Sequence, residues 1–98
     1  MKRTVQLRVV NPKREGVSQS TGQPWTSQDV VVAWPEGLPD GTAAENLLSV
    51  TLRNEQQEMF EHCQYKVGDT LEMDFQFYTY NRGTYVNNGV RATIMHNA

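Results

Sequence analysis

Leu71-Glu72-Met73-Asp74-Phe75-Gln76-Phe77 alternates apolar and polar side chains without a break. A strand repeats every two residues, so such a stretch has one apolar face and one wet face. Thr4–Val10 has the same period, with Val5, Leu7 and Val9 inward, and Leu47–Arg53 repeats it with Leu48, Val50 and Leu52 inward. Trp25–Trp34, centred on Val30-Val31-Val32, predicts a further strand with Val30, Val32 and Trp34 inward. The last strand runs from Tyr85 to about Met95, with Val86, Val90, Ala92 and Ile94 on one parity, and Asn88-Gly89 predicts a bulge in it. Turn formers separate these stretches: a long basic loop over Asn11–Pro24 holding Lys13 and Arg14, a loop over Pro35–Ala44, and a turn at Val67-Gly68-Asp69. The one helical signal follows the third strand. Asn54 is placed to cap a short helix through Cys63, with Met59, Phe60 and Cys63 at helical spacing on its apolar face.

The expectation is one all-β domain with one short helix over residues 1–98, frayed at 96–98. Five strands with a helix between the third and fourth is the element order of the OB-fold, a small partly open barrel. An SH3-like barrel is the competing five-stranded fold, and the helix position favours the OB order. A chain of 98 residues leaves no room for a large internal substrate cavity. A single cysteine, Cys63, excludes an internal disulfide and suits a reducing compartment. No apolar run reaches the length of a signal peptide or membrane span, so the expectation is a cytoplasmic protein.

The formal net charge is -2, but the charge is unevenly spread. Residues 1–34 carry five Lys/Arg and two acids, residues 35–74 two Lys/Arg and nine acids, and residues 75–98 two Arg and no acid. If the two ends meet in space, the molecule has a basic and an acidic side. The basic C-terminal part contains Tyr78-Thr79-Tyr80-Asn81-Arg82-Gly83-Thr84-Tyr85. With Arg82-Gly83 as a two-residue turn, Tyr80 lies opposite Tyr85. Tyr78, Tyr80 and Tyr85 then share the face opposite Leu71, Met73, Phe75 and Phe77. Nucleic-acid bases stack on such rings at roughly 1–3 kcal/mol per base. Cross-strand pairing that only stabilises the hairpin, at about 0.2–1 kcal/mol per pair, is the alternative use of the same rings.

Trp25, of outward parity at a loop end, is a second stacking candidate, whereas Trp34 reads as core or rim packing. Arg8, Arg53 and Arg91 have outward parity on the first, third and fifth strands. Lys13, Arg14 and Arg82 lie on loops, where they reach a ligand. His62 and His96 have no ligand-spaced partners, so no metal or other cofactor is expected. Cys63 reads as a small buried hydrophobe beside Met59 and Phe60. No Ser/His/Asp set, phosphate-binding loop motif or dinucleotide fingerprint is present, which argues against an enzyme.

Gly22-Gln23-Pro24-Trp25 before an alternating strand resembles the second-strand entry of small bacterial single-domain OB proteins related to single-stranded-DNA-binding proteins. Many members of that family are recorded only as a domain of unknown function. Tyr65-Lys66-Val67-Gly68-Asp69 and Tyr80-Asn81-Arg82-Gly83-Thr84-Tyr85 resemble their second half, and the resemblance runs from Thr4 to Ile94. It implies an OB-fold and, by analogy, a single-stranded nucleic acid as ligand. This sequence departs from the replicative members in lacking their long acidic, glycine-rich tail, so tail-mediated recruitment is not expected.

The leading expectation is therefore binding of single-stranded DNA, or RNA, with little sequence preference. Tyr78, Tyr80, Tyr85 and Trp25 would stack bases, and Arg8, Lys13, Arg14, Arg53, Arg82 and Arg91 would contact phosphates. One OB domain covers about 4–16 nucleotides, which favours a homo-oligomer, and replication or repair proteins are the expected partner class. The alternative is a protein-interaction or accessory subunit that uses the same aromatics as interface anchors.

Overall fold

The computed structural model describes residues 1–97. It is mostly β, with six antiparallel strands and one helix: β1 (Lys2–Val10), β2 (Arg14–Val17), β3 (Pro24–Gly37), β4 (Ala43–Arg53), α1 (Glu55–His62), β5 (Thr70–Arg82) and β6 (Tyr85–Asn97). The strands lie in the order β2-β3-β1-β5-β6, with β4 on the other edge of β3. The sheet curls until β4 comes beside β6, but no ladder joins them and it stays open.

The extra strand comes from the expected first loop. Arg14–Val17 pairs with Pro24–Ser27 on the edge of β3 that β1 occupies further along, so β2 prolongs β1 beyond a break at Asn11-Pro12-Lys13. Only Ser18–Gln23 remains as the connecting turn, closed by Ser18 N–H donating to the Gln23 carbonyl at 2.8 Å. The loop expected over Pro35–Ala44 is shorter as well, because Pro35–Gly37 pairs with Ala43–Glu45. Proline is tolerated there because this end of β3 has a neighbour on one side only.

Val5, Leu7, Val30, Val32, Val50, Leu52, Leu71, Met73, Phe75, Ala92 and Ile94 form the core with Phe60 of the helix, as the alternation requires. Trp34 packs on its rim, its ring 5.5 Å from that of Phe75. Three residues expected in the core from the strands are exposed. A bulge between Leu7 and Val9 turns Val10 inward and Val9 outward. Phe77 and Val86 keep inward parity but lie on the part of the β5–β6 hairpin that outruns the core, and are 60% and 69% exposed. The β5–β6 bulge falls between Glu72 and Met73, opposite Met95, and not at Asn88-Gly89, where pairing is regular. Strand β6 continues through His96 to Asn97, where fraying was expected, and Ala98 lies outside the described residues.

Helix α1 sits between β4 and β5 in sequence and covers the core with Phe60. Asn54 occupies its N-cap position without making a cap bond. Its side-chain oxygen instead accepts the Thr26 N–H at 3.1 Å, tying the helix start to β3. Cys63, expected to be buried, is exposed just past the helix end. Besides Phe60 the helix buries an amide, Gln57, which donates to Gln28 at 3.4 Å and to Glu61 at 3.0 Å. Gln28 in turn donates to the Asn11 carbonyl at 2.8 Å, so this polar chain links the β1–β2 break to the helix.

Candidate nucleic-acid interface

The β5–β6 turn is Gly83-Thr84, with Arg82 paired to Tyr85, one residue later than the expected Arg82-Gly83. A type II′ turn needs positive φ at its first central position, and only Gly83, at φ 63°, supplies it without strain. Tyr80 therefore lies opposite Asn87, not Tyr85. The face assignment survives this shift. Partners directly across a ladder point to the same side, so Tyr85 follows Arg82 onto the face of Tyr78 and Tyr80. All three rings are exposed, and those of Tyr78 and Tyr80 are 6.0 Å apart.

Tyr78 sits across from Gly89 and lies over it. A Cβ built on Gly89 would fall 2.5 Å from the Tyr78 Cζ, so only glycine leaves room for the ring. One ring face is occupied by strand backbone, while the residue as a whole stays 46% exposed. Trp25 repeats the arrangement over Gly16, whose Cβ would fall 2.8 Å from the indole. Both pairs are the aromatic cover of strand glycines seen in twisted sheets. The sequence reading missed Gly16 and Gly89 as partners of these rings. A glycine inside a strand pattern, opposite an aromatic once the register is known, is the signal that finds them.

The six candidate cations divide into two sets. Arg8 reaches Glu45 and Gln6, Arg14 meets both carboxylate oxygens of Asp29 at 3.2 Å, and Lys13 meets Glu61 at 3.0 Å and Glu15 at 3.7 Å. The Glu61 carboxylate raises the Lys13 pKa through a hydrogen bond and its charge, and Gln57, followed by Lys13, lowers that of Glu61. Three of the five basic residues of the N-terminal segment are thus answered by acids, two of these, Glu45 and Glu61, from the middle of the chain, while Lys2 and Arg3 make no ion pair among the described residues. Arg53, Arg82 and Arg91 make no ion pair among the described residues. Arg82 shares the tyrosine face. Arg91 stands opposite Gln76 on that same face, and Arg53 lines with Arg91 and Tyr78 a groove between β4 and β6.

The structure therefore brings Tyr78, Tyr80, Tyr85, Arg53, Arg82 and Arg91 together on the outer surface of β4, β5 and β6. Trp25, Arg8, Lys13 and Arg14 belong to the β1–β2–β3 side, and the three cations there have acidic partners. Among the described residues no three His, Cys, Asp or Glu side chains gather where they could hold a metal ion, and no helix is long and apolar enough to cross a membrane. The sequence matches no protein-family model and no curated protein.

Proposed function

We propose that the chain is an OB-type domain that binds single-stranded nucleic acid, foremost single-stranded DNA, with little sequence preference. The observation that carries this reading is the coincidence of exposed rings and unpaired cations. Of the six candidate cations, the three without acidic partners among the described residues, Arg53, Arg82 and Arg91, lie on or beside the surface that exposes the three hairpin tyrosines. Stacking needs open ring faces, and phosphate contact needs cations not already neutralised. The OB reading is supported by a β4-β3-β1-β5-β6 path, a helix between β4 and β5, and edges β4 and β6 that approach without pairing. On this reading β2 is the outer end of the first strand. The cations expected to hold phosphate from the first loop, Lys13 and Arg14, drop out of this reading, and the ligand path runs along β4, β5 and β6. A cytoplasmic setting, a homo-oligomer and replication or repair partners fit the same reading.

A second reading, a protein-interaction subunit, is favoured by one feature: the opposite face of the same hairpin exposes Phe77 and Val86. Fluorescence anisotropy of labelled oligothymidine against duplex DNA of equal length separates the two. Nucleic-acid binding requires preference for the single strand, and Tyr78→Ala or Tyr80→Ala should each cost about 1–3 kcal/mol. Absence of binding to oligothymidine and to a single-stranded RNA of equal length, even at low salt, would leave the protein-interaction reading.

A further inference from the structure

The opening between β4 and β6 is a groove of about 460 Å³ lined by Ser49, Thr51, Arg53, Tyr78, Arg91 and Thr93, among others. That volume lies within the roughly 300–1,000 Å³ of small-molecule sites. No acid lines it. Two acids stand across the ladders from groove residues: Asp29, opposite Thr51, is held by Arg14 and by the Thr51 hydroxyl at 2.6 Å, and Asp74, opposite Thr93, by the Met1 amino group at 3.0 Å. One wall is a strand edge. The Ile94 N–H points away from β5 and donates to the Gln56 side-chain oxygen at 2.8 Å, so the helix side chain stands where a β4 partner would be. Strand β6 is regular from Tyr85 to Ile94. The alternation of an antiparallel strand therefore turns the N–H groups of Val90 and Ala92 in the same direction as that of Ile94, toward the groove.

We infer that this groove is a subsite for one nucleotide unit, its phosphate held by Arg53, Arg91 and the β6 edge amides and its base laid on the open face of Tyr78. The inference rests on the nucleic-acid reading and specifies where on that surface a phosphate is fixed. Two unpaired guanidiniums with hydroxyls and backbone N–H donors suit a phosphate, since charge-assisted hydrogen bonds are the strong ones. Gly89 holds the Tyr78 ring down beside them. Arg82, at the hairpin end, lies outside the groove and contacts the strand further along.

The test is an amide chemical-shift titration of the ¹⁵N-labelled protein with thymidine 3′,5′-bisphosphate, with inorganic phosphate alone as a second titrant. Oligothymidine anisotropy is measured in parallel. The bisphosphate should shift Thr51, Arg53, Tyr78 and the Gly89–Ala92 amides and bind more tightly than phosphate. Arg53→Ala and Arg91→Ala should each weaken it about tenfold, while Arg82→Ala leaves it unchanged. Shifts confined to the hairpin end, or Arg53 and Arg91 variants that bind the bisphosphate like the parent, would overturn the subsite. Should oligothymidine still bind in that case, the functional reading stands without it. Groove shifts with the bisphosphate, lost in both arginine variants, would support the subsite even if neither oligothymidine nor single-stranded RNA bound, and the functional reading would then fall alone.

Discussion

Gly89 does more at this surface than its missing side chain implies. Because the Tyr78 ring occupies the space a Cβ would fill, Gly89→Ala must lift the ring off the strand. The variant should lose oligothymidine affinity on the scale of one stacked base, about 1–3 kcal/mol, with its circular dichroism unchanged. An unchanged affinity would show that Tyr78 binds no base. Phe75 is the opposite case, a fully buried ring stacked on Trp34. Phe75→Ala should destabilise by about 3–5 kcal/mol, read from denaturant midpoints. Side-chain parity made Phe75 legible in the sequence, since alternation depends on nothing beyond the strand. Gly89 was not legible as a partner of Tyr78, because a cross-strand neighbour depends on register, and register depended on whether Arg82 or Gly83 opened the turn.

Five of the six strands were legible in the sequence; strand length and the short β2 were not. β3 and β4 outrun their apolar cores because Pro35–Gly37 and Ala43–Glu45 join the ladder without an alternating run of large apolar side chains to mark them. β2 was hidden for the same reason: Arg14-Glu15-Gly16-Val17 is too polar and too short to show a period. The β5–β6 hairpin shows the converse error. Its alternation continues past the core, so Phe77 and Val86 have core parity without a core. Substituting both with serine should change stability by no more than about 0.5 kcal/mol at each site and leave oligothymidine affinity intact. Lost affinity would place the ligand on that face instead. At the helix, the Glu61 carboxyl is held below its ordinary value of 4.5, first by Gln57 and then by Lys13. Its contribution to stability is therefore full above that value and is lost as pH falls through the lowered one. Glu61→Gln should lower the urea midpoint at neutral pH, and the gap from the parent should close in acid. A gap that persists there would assign Glu61 a role independent of its charge.

For the molecule as a whole, net charge is a poor guide to what it can bind. The chain is acidic overall at -2, and summing charge by segment marked the first third as basic. In space, Glu45, Asp29, Glu15 and Glu61 answer Arg8, Arg14 and Lys13, partnerships that parity and composition do not reveal. The C-terminal part, without a single acid, keeps Arg82 and Arg91 free, and curling of the sheet adds Arg53 from β4. The sheet stays open between β4 and β6 where Arg53 and Arg91 line the groove. The central claim is that these three unpaired arginines, and not the ion-paired set, carry the phosphate contacts. It is tested most directly by the salt dependence of oligothymidine binding in two triple variants, Arg53/Arg82/Arg91→Ala and Arg8/Lys13/Arg14→Ala. Each phosphate contact on a single strand contributes about 0.7 to the log–log slope. The first variant should flatten the slope by about 2, and the second should leave it close to the parent's. A slope flattened by the second variant and unchanged by the first would contradict the account.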